Sequence, residues 1–390
     1  MKALDRNNQL VFNLKKNSFN FLRLVLASFV LVAHSFELGG FGYDPIYYLS
    51  GNVYSIGAIA VDGFFSISGI LIIASYKNIN SITVFIWHRI LRIFPGYWLC
   101  IILTSILLPI IFKVNLDVGY ALHNSFQPVV SVFQSAFGLL IPLITGWAPN
   151  LANIPEKIPL FGQGSIPGVF DEKSVNGSLW SLVHEFRLYC LIAILGVAGL
   201  LKKPVLVLLL VVSWGVYSLF LLRDPSWQGL ASTSSFRTTA HFLMGSVFYL
   251  HTPILRNSWA LVALISSVVA LVMGYYPIVS PLTTTYLMIY LATVIPLYNF
   301  GASNDFSYGL YIYAFPVQKT LTELSLNSYG LLAYFIISMF FSMIFAVLSW
   351  YAIEKKALQL KKLTFRYMLS IFTSRLVNIF VSIQRTPPSP

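Results

Sequence analysis

Apolar residues recur along the chain in long blocks broken by short polar stretches. The blocks fall near 21–37, 54–76, 95–112, 180–200, 204–222, 237–251, 258–275, 281–298, 307–322 and 331–353. A run of roughly 17 to 25 apolar residues is long enough to cross a bilayer as a helix. The pattern therefore predicts an all-α polytopic integral membrane protein with about ten transmembrane helices. An eleventh apolar run, 129–146, contains Gln134, Gly138 and Pro142 and is read as a re-entrant or interfacial segment. It belongs to a long loop, about 113–179, whose second half is rich in Gly, Pro and Asn and reads as irregular. Long loops beside a membrane site often shape its pocket. The expected parts are an N-terminal segment 1–20, a transmembrane domain 21–353 and a basic tail 354–390. The tail suits an amphipathic helix on the inner leaflet, followed by a disordered "TPPSP".

Composition agrees with the pattern: 57% of the 390 residues are hydrophobic and only 10% are charged. The net charge of +12 would suggest nucleic acid in a soluble protein. Here the basic residues crowd into short loops and the tail, so membrane topology explains them and no nucleic-acid partner is expected. With the N-terminus in the cytoplasm, ten spans place Lys15, Lys16, Lys77, Arg89, Arg92, Lys202, Lys203, Arg256 and the tail inside. Counting 129–146 as a full span would put Lys202, Lys203 and the tail outside, against the positive-inside rule. The first apolar run follows about 20 mostly polar residues without a clear cleavage site, and is read as a helix rather than a signal. Cys100 and Cys190 sit inside apolar runs and read as small hydrophobes, with no disulfide or metal expected.

Charges inside such helices are costly and mark candidate sites. Arg23, His34 and Glu37 share the first helix. His34 and Glu37, three apart, lie on one face, and Arg23, eleven before His34, is about three turns away on the same face. A neutral histidine can take a proton from a hydroxyl, while a carboxylate on its other ring nitrogen fixes the tautomer and steadies the imidazolium. The plainer reading is an interfacial histidine and an acid that begins the outer loop. Arg89 and Arg92, three apart at the inner face, could grip phosphates or simply flank a span. Glu185 and Arg187 enter the span after the long loop, where Glu185 either supports a catalytic cleft or makes a structural ion pair. Asp62 lies in the second span beside Ser66, Ser68 and Gly69, small residues that permit close helix packing. Asp305 reads as a helix cap.

Taken together, these segments resemble the membrane-bound acyltransferase 3 family of integral bacterial O-acyltransferases, from about Phe19 to Lys356. The carriers are "NFLRLVLASFVLVAHS", "VDGFFSISGILI", "HRILRIFPGYW", "SLWSLVHEFRLY" and "DFSYGLYIYAFPVQ", in that order. The resemblance makes His34 the family's essential histidine and Arg23 its functional arginine, and carries function onto Arg89, Arg92 and Glu185. Two departures stand out. Arg187 follows the glutamate where relatives are apolar or aromatic, and Phe315 stands before Pro316 where many members have a histidine. No fused outer domain of the SGNH type is expected.

The resemblance implies a bacterial inner-membrane O-acyltransferase with both termini cytoplasmic. Acetyl-CoA, or another acyl-CoA, would donate to a hydroxyl of a carbohydrate or lipid-linked glycan, foremost a lipopolysaccharide O-antigen or exopolysaccharide. His34, Glu37 and Glu185 would be the catalytic residues, and Arg23, Arg89 and Arg92 would bind the donor. The rival classes are a secondary transporter of a sugar, lipid or small molecule, which suits intramembrane charge equally well, and an inactive relative acting as scaffold or sensor.

Overall fold

The computed structural model describes residues 10, 12–79, 81–112, 176–223, 231–251 and 253–362. The 129–146 run, most of the long loop and the tail beyond 362 lie outside these residues. The described chain is helical: α1 (Phe19–Leu38), α2 (Pro45–Leu49), α3 (Ile56–Lys77), α4 (Ile82–Phe112), α5 (Trp180–Val197), α6 (Lys203–Arg223), α7 (Ala231–His251), α8 (Asn257–Val272), α9 (Tyr276–Val294), α10 (Ser307–Glu323) and α11 (Leu331–Ser349). α11 runs through a π-turn, Trp350–Glu354, into the short α12 (Lys355–Gln359) and a final tight turn, Leu360–Lys362.

Six segments among the described residues, rather than the ten expected, are long and apolar enough to cross a bilayer: Phe19–Leu38, Ile56–Lys77, Ile82–Leu108, Gly177–Val197, Tyr276–Val294 and Leu331–Lys362. α8 and the apolar part of α6, Pro204–Val216, are shorter. α7 is long enough but too polar, and α10, 17 residues long, is both short and polar. Their polar residues are buried: Thr238, His241, Ser246 and Gln318 have no exposed surface. Helices packed inside a bundle can hold polar groups that a lipid-facing helix cannot.

α3 lies at the centre, packed against α1, α7 and α9. Its closest approach is to α7. A Cβ added at Gly69 would lie 1.9 Å from the Phe242 carbonyl oxygen, and one at Gly245 would lie 2.2 Å from that of Ser66. The two backbones touch because both glycines lack side chains, as small residues at membrane helix crossings allow. Ser246 Oγ fixes the crossing by donating to Gly69 O at 3.2 Å. Gln318 Nε2 of α10 donates to Leu31 O at 2.9 Å and Ser35 Oγ at 2.8 Å, tying α10 to α1.

One end of the bundle is basic. There the Lys16 ammonium lies 5.1 Å from the centre of the Tyr298 ring, and Lys77 lies 5.9 Å from that of Tyr249. Leu10 bridges to Leu255, next to Arg256. Ser18, at the start of α1, donates to Ile295 O just beyond α9. Lys355 donates to Asn304 Oδ1 at 3.3 Å at this same end. The opposite end carries His34, Glu37 and the Asp44 cap of α2, whose Oδ1 accepts from Ile46, Tyr47 and Ile56.

Candidate active site

Arg23 of α1 and Arg92 of α4 meet on one carboxylate. Asp305 Oδ2 accepts from Arg23 Nη1 at 2.8 Å and from Arg92 Nη2 at 2.5 Å. Its other oxygen accepts from the Ser307 backbone N–H at 3.1 Å and hydroxyl at 2.5 Å, which starts α10. The sequence reading of Asp305 as a cap is thus half of its role. Burial alone would raise its pKa; the two guanidiniums and the Ser307 hydrogen bonds outweigh that and hold the carboxyl well below the ordinary range. A cavity of about 300 Å³ opens beside it, lined by Asn20, Asn299, Phe300, Asn304 and Ser307 among others.

A second arginine–acid set lies alongside. Arg89 Nη2 donates to Ser75 Oγ at 3.2 Å, and its guanidinium stands 5.8 Å from the centre of the Tyr189 ring. Glu185 Oε1 accepts from Ser68 at 2.8 Å and from the Tyr189 hydroxyl, which faces it one helical turn later. Glu185 and Arg89 feel each other's charge. Glu354, from the π-turn, is buried against Gly96 of α4, where an added Cβ would come 3.1 Å from its carboxyl carbon. Ser349 donates to Glu354 Oε1 at 2.6 Å, while Oε2 has no hydrogen-bond partner among the described residues. π-turns frequently occur at functional sites. Arg23, Arg89, Arg92 and Glu185 are therefore brought together, with Asp305 and Glu354 added to them.

His34 sits elsewhere, about 16 Å along α1 from Arg23 by helical rise. Its Nδ1 lies 3.8 Å from Glu37 Oε2, longer than a hydrogen bond, and that buried nitrogen has no other partner among the described residues. The ring packs edge-on against Phe315, 5.2 Å between centres at 79°. Phe315 also touches Gly177, where the chain returns from the long loop. Phe315, the residue before Pro316, is thus in contact with His34.

A third cluster was only half legible. Asp62, fully buried, accepts from the Tyr54 hydroxyl and pairs with Arg237 Nε at 3.3 Å and His241 Nε2 at 3.6 Å. Arg237 stacks over the Tyr54 ring at 5.1 Å. The sequence singled out Asp62 but not Arg237 or His241, although charge in a candidate membrane helix was the available signal.

A family described as an acyltransferase domain matches residues 16–351. An O-acetyl transferase of Shigella phage Sf6 is 30% identical over 368 residues, which is 88% of this chain and 96% of that protein. No solved structure matches. A polytopic helical bundle with an arginine pair, an intramembrane histidine and this match along most of its length has one identity at the level of family: the chain belongs to the membrane-bound acyltransferase 3 family and is a membrane-bound acyltransferase.

Proposed function

We propose that the protein takes acetyl from cytoplasmic acetyl-CoA and transfers it to a hydroxyl of a cell-surface or exported polysaccharide. In this reading all ten long helices among the described residues cross the bacterial inner membrane. The short or polar α6, α7, α8 and α10 are carried by packing against the six apolar spans. The basic end then faces the cytoplasm, as the positive-inside rule requires. The observation that carries the reading is the separation of two kinds of chemistry along α1: guanidiniums at the basic end, His34 toward the other.

Arg23, Arg89 and Arg92 hold the phosphates of the donor, and planar guanidinium groups suit phosphate oxygens. Glu185 keeps Arg89 in place from α5. His34 removes the proton of the acceptor hydroxyl, and its oxygen attacks the thioester carbonyl. The new ester bond forms as the C–S bond breaks, and the CoA thiolate leaves to be protonated. Glu37 favours the imidazolium that forms, across a gap of 3.8 Å. The about 16 Å between the arginines and His34 is the interval that the acyl-pantetheine arm has to cover.

The test uses the cell's own glycans. The gene is deleted and complemented with wild type or His34→Ala, and ester-linked acetyl on extracted polysaccharide is read by NMR. Acetyl lost on deletion and restored by wild type alone supports the reading. Full restoration by a membrane-inserted His34→Ala protein ends the role of His34, and no change in any ester ends the polysaccharide acceptor.

A further inference from the structure

The charges of the basic end nearly cancel where the donor reading needs a cationic site. Arg23 and Arg92 share Asp305, Glu185 acts on Arg89 through its charge without a direct ion pair, and Glu354 also acts on Arg92. Three cations thus stand among three acids. A phosphate-bearing ligand gains little from such a set unless a further cation joins it.

The chain supplies one just after the π-turn. α12 and the Leu360–Lys362 turn fold back onto the first turns of α4 instead of leaving the bundle. Trp87 Nε1 donates to Leu360 O at 3.4 Å, and His88 Nε2 donates to Lys361 O at 3.2 Å. These two bonds clamp the backbone on either side of the Lys361 N–H. Its ammonium is held close enough to Arg89 and Arg92 to be repelled by both. Among the described residues no carboxylate lies within ion-pair distance of Lys361. Arg89 Nε, buried beside it, also has no hydrogen-bond partner there. Like charges gathered in a partly dry place are unfavourable unless an anion joins them. The neighbouring lysines differ: Lys356 and Lys362 are exposed.

We propose that Lys361 completes, with Arg89 and Arg92, a phosphate-binding site at the basic end of the bundle, and that the polyphosphate of the acyl donor occupies it. Lys361, in a stretch that reads as a topology signal, is then part of the donor site. This rests on the acetyl-CoA reading above, and the experiment separates the two.

Full-length protein is placed in nanodiscs of phosphatidylcholine, and acetyl-CoA affinity is measured by calorimetry for wild type, Lys361→Gln, Lys361→Arg and Lys356→Gln. Lys361→Gln should weaken acetyl-CoA about tenfold, which is about 1.4 kcal/mol. Lys361→Arg should stay near wild type, and so should Lys356→Gln. Thermal unfolding of each variant shows whether the fold is kept. An unchanged affinity in a folded Lys361→Gln protein overturns the proposal. A second arm adds phosphatidylglycerol to the discs. If Lys361→Gln abolishes only a response to that lipid, the phosphate belongs to a headgroup and the donor assignment falls. If wild type binds no acetyl-CoA, the donor reading itself fails, whatever Lys361 does.

Discussion

Asp305→Asn isolates the carboxylate that joins three helices. Asparagine keeps the shape and an acceptor for Ser307, but removes the charge shared by Arg23 and Arg92. The side chains of Arg23, Arg92 and Asp305 are 20%, 16% and 14% exposed, so the pair is mostly but not wholly shielded. Removing one partner of a fully buried pair costs about 3–5 kcal/mol, because the other charge is left without compensation. Partial access to water lowers this to about 2–4 kcal/mol. The assay is unfolding of the purified protein in mixed micelles, read by tryptophan fluorescence. A cycle with Arg23→Gln tests the mechanism: removing the orphaned cation should return part of the loss, a coupling of about 1 kcal/mol or more. The pH dependence has a definite sign. The folded carboxyl titrates lower than an unfolded aspartate, so its stabilisation is complete above the unfolded value and is lost as pH falls below about 4. A loss under about 0.5 kcal/mol, or strictly additive single variants, would refute the bridge as a stabilising element.

Gly69→Ala should destabilise by about 1–3 kcal/mol or prevent assembly, since its Cβ would lie 1.9 Å from a backbone oxygen of α7; a wild-type unfolding midpoint would contradict the close crossing. Asp62→Asn and Arg237→Gln should each cost about 3 kcal/mol while the double variant costs less than their sum, again by micelle unfolding. Glu37→Gln should lower acetyl transfer by no more than about tenfold, against near-complete loss in His34→Ala, because 3.8 Å is longer than a hydrogen bond and Glu37 is exposed. Equal losses in a transfer assay would give Glu37 a larger share of the chemistry. Tyr189→Phe removes the hydroxyl on Glu185 and should cost about 1–2 kcal/mol of stability, with donor affinity falling if Glu185 holds Arg89.

Much of the molecule was legible along one dimension. Runs of apolar residues gave the helices. Their basic flanks gave the end of the bundle where lysines and arginines gather. Intramembrane charge singled out Arg23, His34, Arg89, Arg92, Asp62 and Glu185, because a charge in a greasy helix stands out against its neighbours. The small residues Ser66 and Gly69 announced a close crossing, and α7 makes it. What the sequence left undecided is which charge meets which. Arg23 and Asp305 are 282 residues apart, and Arg92 and Asp305 are 213 apart. Arg237 found Asp62, Phe315 found His34, and Glu354 and Lys361 lie against α4. These meetings depend on the rotation and depth of each helix relative to its neighbours. A helix that is apolar on every side carries no stripe from which its rotation can be read. Packing of glycine against backbone and of ring against ring sets that rotation, and only the tertiary structure holds it.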